Sequence, residues 1–333
     1  MQRWPVVGHR KAVRRLQLDV IRDDVPHALL LTGPESVGKS TLALTLAQAI
    51  LCTAEEPEAR PCGSCSACRR VDSGNHPDLL LVTPEEAGKG VKIDQIRALE
   101  RFLALTPIEG RHKIAIISDF EQATVSAANA LLKTLEEPPA YAHLILLATD
   151  ADTLLPTIIS RSQHLPLHLL DRSTIQEALM SRWQLSEARA QRLARLSGGR
   201  MGWAIQAITR PEHLEEMDEA VEILFRVLRS DLPTRFDIAK ELSKDDVRLA
   251  QILEYWRTAW RDVLLLKTGN SEKIIYLEQR DLLSEISKCV SLQTTSEISR
   301  VLKESLNALD RYANTQLLVE ALFLKLPEIP ISS

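Results

Sequence analysis

An α/β domain followed by an all-α region is the fold class this sequence predicts, and three observations predict it. Short apolar runs at 28–32, 79–82, 113–119 and 143–149 alternate with stretches of helical spacing. The first run passes into a glycine-rich turn that opens a helix, and β signals cease after about Leu167.

The organising stretch is His27-Ala-Leu-Leu-Leu-Thr-Gly-Pro-Glu-Ser-Val-Gly-Lys-Ser-Thr41. Gly33, four residues and then Gly38-Lys39-Ser40, set between a strand and a helix, fit the P-loop pattern. In such a loop the backbone N–H groups face the β- and γ-phosphates, Lys39 adds a point charge and the Ser40 hydroxyl ligates magnesium. Gly33, Gly38, Lys39, Ser40 and Thr41 are therefore the expected contacts for ATP with Mg2+. A glycine turn that matches by chance is the alternative, and hydrolysis is a separate question from binding.

A chain of 333 residues predicts two or three domains and a sizeable core. With 45% hydrophobic residues, 26% charged residues and a net charge of -4, it does not bind nucleic acid alone through a broad basic face. Any contact with DNA must be local or shared with partners. No apolar run is long enough to span a bilayer, and Met1-Gln-Arg-Trp-Pro5 lacks a signal-peptide core, so a cytoplasmic protein is expected. Four of the five cysteines crowd into 52–68, which in a reducing compartment points to metal more than to disulfides.

In chain order, residues 10–22 read as an amphipathic helix with Val13, Leu16, Val20 and Ile21 on its buried face. The lead-in from Trp4 to His9 could lie against a nucleotide base or simply pack. The strand at 28–32, the P-loop and an Ala- and Leu-rich helix from Lys39 to Leu51 follow. Cys52, Cys62, Cys65 and Cys68 then have the spacing of four thiolates around one tetrahedral, structural Zn2+; two disulfides or idle thiols are the alternative. His76 lies close enough in sequence to substitute for a ligand. Residues 79–82 read as a strand, 84–90 as a polar turn and 93–105 as a helix with Ile96, Leu99 and Leu103 on one side.

The run from Lys113 has the continuous apolar character of a parallel strand buried on both faces. It ends in Ser118-Asp119-Phe120-Glu121, where an acidic residue beside a P-loop holds magnesium through water or orients the attacking water. Asp119 is the one candidate carboxylate here, where strong ATPases present two in succession. A helix at 127–137 is stopped by Pro138-Pro139, and the strand at 143–149 ends at Thr149, either a γ-phosphate ligand or a strand cap. The segment Leu155-Pro-Thr-Ile-Ile-Ser-Arg-Ser162 closes the first domain, at about 165. Arg161 in that loop is either a surface residue or one that reaches a phosphate bound by a neighbour. Residues 172–184, 186–196 and 201–208 read as three short helices of a second domain, 166–208. A third, helical domain spans 209–333, with helices at 247–268, 281–290, 296–312 and 314–326. Cys289 is expected in the core of that last domain.

Gly33 to Thr41, the cysteine cluster, Asn75-His-Pro-Asp78, Ile93-Asp-Gln-Ile-Arg97, Asn129-Ala-Leu-Leu-Lys-Thr-Leu-Glu-Glu-Pro-Pro139 and Ser160-Arg161, in this order, resemble bacterial clamp-loader subunits of the AAA+ class. The zinc insert just after the P-loop helix and the Leu-Leu-Lys-Thr-Leu-Glu-Glu-Pro-Pro segment are the most specific pieces. The resemblance implies a RecA-like AAA+ domain carrying the zinc module, a three-helix lid and a helical collar. It implies a hetero-oligomeric ring with gamma/tau-like motor subunits and a delta subunit, which places a sliding clamp on primer-template DNA using ATP bound between subunits. It also gives Arg161 the role of an arginine finger acting in trans. Three departures from the motor pattern imply weak or absent turnover. Ser118 stands where motor subunits carry the magnesium-binding aspartate, with Asp119 in place of their glutamate. Ser162 replaces the cysteine after the finger, and Gly202 stands about where a second arginine sensor is found, with Arg200 nearby. The rival readings are a motor-type ATPase subunit, a small-molecule P-loop kinase, and a structural subunit whose P-loop is a relic.

Overall fold

The computed structural model describes residues 4–85, 90–210, 212–309 and 314–329. Residues 86–89 of the expected polar turn, Pro211 and Tyr312 lie outside the described residues. The chain divides into two compact units, 1–205 and 206–333.

The first unit runs α1 (Arg10–Ile21), β1 (Ala28–Thr32), α2 (Lys39–Leu51), α3 (Ser66–Asp72), β2 (Leu79–Val82), α4 (Ile93–Ala104) and β3 (Lys113–Ile117). It continues through α5 (Val125–Glu136), β4 (Ala142–Ala148), α6 (Pro156–Ile159), β5 (Gln163–Pro166), α7 (Arg172–Trp183), α8 (Glu187–Leu196) and α9 (Met201–Thr209), the last crossing into the second unit. All strand pairs are parallel, in the order β2-β3-β4-β1-β5. Every residue of β1, β3 and β4 is buried, as continuous apolar runs in a sheet covered on both faces require. Alternate side chains go to opposite layers. Leu29, Leu31, Ile114, Ile116, Ile145 and Leu147 pack with Leu16, Leu42 and Leu46 of α1 and α2. Leu30, Ala115, Ile117, Leu144 and Leu146 pack with Ile96, Leu99, Leu131 and Leu135 of α4 and α5. This is the RecA-like α/β architecture, with the P-loop at the carboxyl end of β1, where β4 and β5 flank it.

One strand was not expected. The segment predicted to close the domain at 155–162 forms α6 and a turn, and β5 then extends the sheet beyond β1. Only Leu165 of its four residues is buried, and it ends in Pro166, so no apolar run announces it. On α1 the buried stripe is Ala12, Leu16 and Val20, with Val13 and Ile21 only half-buried.

Among the described residues the second unit is all-helical: α10 (Glu212–Arg229), α11 (Leu232–Leu242), α12 (Asp246–Lys267), α13 (Arg280–Cys289), α14 (Leu292–Leu309) and α15 (Thr315–Lys325). The helix α11 was not expected as a separate element, and α14 begins at Leu292 rather than at 296. Fully buried Trp256 of α12 donates its indole N–H to the Ala220 carbonyl at 2.7 Å and stacks on Phe323. Asp262, also fully buried, accepts the Ile275 and Tyr276 N–H groups at 2.6 and 2.8 Å. Arg235 of α11 donates to the carbonyls of Ser230, Phe323, Leu326 and Pro327 and so ties down the chain after α15. Cys289 corrects the expectation of a core residue: it is exposed, because it ends α13 off the stripe of Leu283, Ile286 and Val290 that turns inward. Among the described residues, no helix is long and apolar enough to cross a membrane.

Candidate nucleotide site and metal centre

The P-loop needs its two glycines for different reasons. Gly33 has φ 148°, its N–H donates to the carbonyls of Ala148 and Thr149 at 3.2 Å, and a β-carbon there would lie 2.3 Å from the Leu167 carbonyl oxygen. Gly38, with φ 118°, turns the chain into α2. Ser40 and Thr41 are exposed on the first turn of α2. The Lys39 ammonium donates to the carbonyls of Gly33 and Pro34 at 2.5 and 3.1 Å. Burial lowers the Lys39 pKa, opposed by the carboxylates of Glu121, Glu35 and Asp119.

The loop is tied down from two sides. Gly202, on the first turn of α9, donates its N–H to the Ser36 carbonyl at 2.7 Å. A β-carbon at 202 would come within 2.8 Å of that oxygen, so glycine permits this contact. Nearby Arg200 donates through Nε to the Ser197 carbonyl of its own turn. His9 meets the Val37 carbonyl through Nε2 at 3.1 Å. The lead-in before it packs: Trp4 is buried and donates to the Arg60 carbonyl, and the Pro5 carbonyl accepts from Arg182.

At the ends of β3 and β4, Asp119 is exposed with a left-handed backbone, φ 50°. The residue that reaches across is Glu121, two positions beyond Asp119, a role that its place in the sequence does not announce; its Oε1 accepts the Thr149 N–H at 3.1 Å. Arg161 follows α6, and its guanidinium lies 2.6 Å from Glu136 at the end of α5 and donates to the Thr157 carbonyl at 3.1 Å. The signal for Glu136 was present in the Leu-Glu-Glu-Pro-Pro segment. What linear order could not show is that α6 folds back onto it.

The Sγ atoms of Cys52, Cys62, Cys65 and Cys68 all lie within 4.8 Å of one another. Two pairs, Cys52 with Cys65 and Cys62 with Cys68, stand at 4.0 Å. A tetrahedral zinc–thiolate shell with bonds of about 2.3 Å has sulfur–sulfur edges of about 3.8 Å, so this donor set fits a metal ion and is far from disulfide distance. Backbone N–H groups of Cys62, Cys65 and Cys68 each donate to the preceding cysteine sulfur, at 3.3, 3.2 and 3.4 Å. Against burial, N–H donors from Cys68 and Thr53 hold the Cys65 thiol at about 6, whereas burial pushes Cys68 up. The insert is anchored on α2, where the Gln48 side chain donates to the Cys68 carbonyl at 3.0 Å. His76 is not in the cluster; it is buried and its Nδ1 accepts the Asp78 N–H at 3.1 Å.

A family model described as DNA polymerase III, delta subunit, matches residues 8–171. DNA polymerase III subunit delta' of Bacillus subtilis is 33% identical over 325 residues, covering 96% of this chain and 96% of that protein. Subunit delta' of Pseudomonas aeruginosa is 43% identical over 136 residues, 40% of this chain and 41% of that protein. Subunit tau of Bacillus subtilis is more distant, 26% identical over 326 residues, 90% of this chain and 57% of that protein. Full-length similarity, the P-loop α/β domain, the four-cysteine cluster and the helical second unit agree: the chain belongs to the DNA polymerase III delta' family of clamp-loader subunits.

Proposed function

We propose that this protein acts in the cytoplasm as the delta' subunit of a clamp-loader ring, beside gamma/tau-like motor subunits and a delta subunit, helping to place a sliding clamp on primer-template DNA. Residues 1–165 serve as the AAA+ domain, 166–208 as the lid and 209–333 as the collar that joins the ring. The observation that carries this reading is Arg161, a partly exposed guanidinium on the turn between α6 and β5, outside the chain's own P-loop contacts.

In the ring, Arg161 reaches the triphosphate of a neighbouring motor subunit. A guanidinium supplied there stabilises the charge that spreads over the transferring phosphoryl oxygens. The chain's own site is a holding site for a nucleotide with Mg2+. Loop amides between Gly33 and Lys39 bind the phosphates, and Ser40 and Thr41 supply hydroxyls at the helix start. Thr149 stands at the strand end, and Asp119 and Ser118 do not provide the two-carboxylate arrangement of a fast ATPase. The cysteines hold a structural Zn2+, which supplies cross-linking of the insert and no chemistry.

Co-purification with candidate gamma/tau, delta and clamp proteins tests this reading. A stable complex that hydrolyses ATP on primed DNA, from an isolated chain that scarcely does, is expected. A chain that stays monomeric with every partner, or that alone hydrolyses ATP at the rate of the complex through Lys39, contradicts it. The second outcome would favour the motor-subunit reading.

A further inference from the structure

Glu121 carries a feature that the holding-site reading leaves unexplained. Its turn is anchored by buried Phe120, and its Oε1 accepts the N–H of Thr149, whose carbonyl accepts in turn from Gly33 of the P-loop. Its other oxygen, Oε2, is buried and has no hydrogen-bond partner among the described residues. A buried acceptor left without a donor is costly. Of the three carboxylates whose charge acts on Lys39, Glu121 acts most strongly.

The lysine of a P-loop reaches the β- and γ-phosphates, and the last phosphate lies toward the strand ends beside the loop. Glu121 already uses what that phosphate would use: a backbone N–H at the end of β4 and the field of the loop ammonium. A carboxylate offers two oxygens and one negative charge, close to one face of a phosphoryl group. We propose that Glu121 stands in for the γ-phosphate and makes this a site for nucleoside diphosphates in preference to triphosphates. The proposal rests on the holding-site reading and sharpens it. A diphosphate takes the loop amides while leaving Glu121 in place. A triphosphate sets a second anionic group against the unpartnered oxygen, and like charges a few ångströms apart in partly buried surroundings cost about tenfold in affinity or more.

The test is titration calorimetry of the full chain with ADP and with ATPγS, each with Mg2+, for wild type, Glu121→Gln and a control at an exposed carboxylate of the second unit, Glu297→Gln. Wild type is expected to bind ADP about tenfold more tightly than ATPγS. Glu121→Gln keeps an oxygen for the Thr149 N–H and should close that gap by raising ATPγS affinity, with ADP affinity within about twofold. Glu297→Gln should preserve the gap. ATPγS binding as tight as ADP in wild type, or a gap unchanged in a folded Glu121→Gln protein, overturns the proposal while leaving the holding site intact. If Glu121→Gln does not fold, the wild-type preference decides alone. Absence of binding by either nucleotide to every variant overturns the holding-site reading and this proposal with it.

Discussion

The Arg161 guanidinium and the Glu136 carboxylate lie 2.6 Å apart, joining the turn after α6 to the end of α5. Both side chains remain partly exposed, at 35% and 51%. An ion pair so exposed contributes about 0–1 kcal/mol to stability, so under the proposed function its consequence is orientation of the Arg161 side chain rather than strength of the fold. Glu136→Gln should leave urea-denaturation stability within about 0.5 kcal/mol of wild type. In the assembled complex it should lower the kcat of DNA-stimulated ATP hydrolysis about threefold with little change in KM, because a misaimed guanidinium is lost chiefly from the transition state. An unchanged kcat would remove the positioning role.

Asp78 and Lys113 form a second pair, of opposite character. Their charged atoms stand 3.6 Å apart, and the side chains are 0% and 1% exposed. The Asp78 carboxylate also accepts the N–H groups of Ile108, Glu109 and Gly110, while Lys113 lies over the Phe102 ring. Burial pushes the Asp78 pKa up, but those N–H groups and the Lys113 ammonium outweigh it and hold the carboxyl below its usual range. A folded-state pKa below the unfolded one, near 3.9, contributes stability that is present above that value and is lost as pH falls through the folded value. Asp78→Asn strands a buried ammonium and should cost about 3 kcal/mol at pH 7. The difference from wild type should shrink below about pH 4, measured by urea denaturation across pH. A difference independent of pH would contradict the charge assignment.

The cysteine cluster predicts about one zinc per chain. Cys65→Ser should reduce metal content severalfold and lower the melting temperature, as should prolonged chelation of wild type. Elemental analysis with a thermal melt is the measurement. A metal-free protein with four reactive thiols and an unchanged melt would show that the cluster needs no ion.

Much of this fold was legible because its central strands are continuous apolar runs and its first helices carry regular stripes. The helix Lys39–Leu51 and the strands at 28–32 and 79–82 fall where spacing places them. The edge strand Gln163–Pro166 was hidden because an edge strand buries little and leaves no pattern. Cys289 was misjudged because an apolar neighbourhood in sequence does not say which side of a helix a residue takes. Within the site, the P-loop and the cysteine spacing were readable as local motifs. The contacts of Glu121 with Thr149, Gly202 with Ser36 and Arg161 with Glu136 join residues far apart in the chain. Asn75-His-Pro-Asp78 stood only as a family signature; its aspartate proves to be the anchor of the turn before β3.

The central claim is that this chain completes a neighbour's ATP site. It is tested most directly by assembling Arg161→Ala protein with the other subunits and measuring ATP hydrolysis on primed DNA. The account predicts complex formation equal to wild type, with hydrolysis lowered by about tenfold or more, as expected when a finger is withdrawn from one site. Hydrolysis equal to that of the wild-type complex would contradict it.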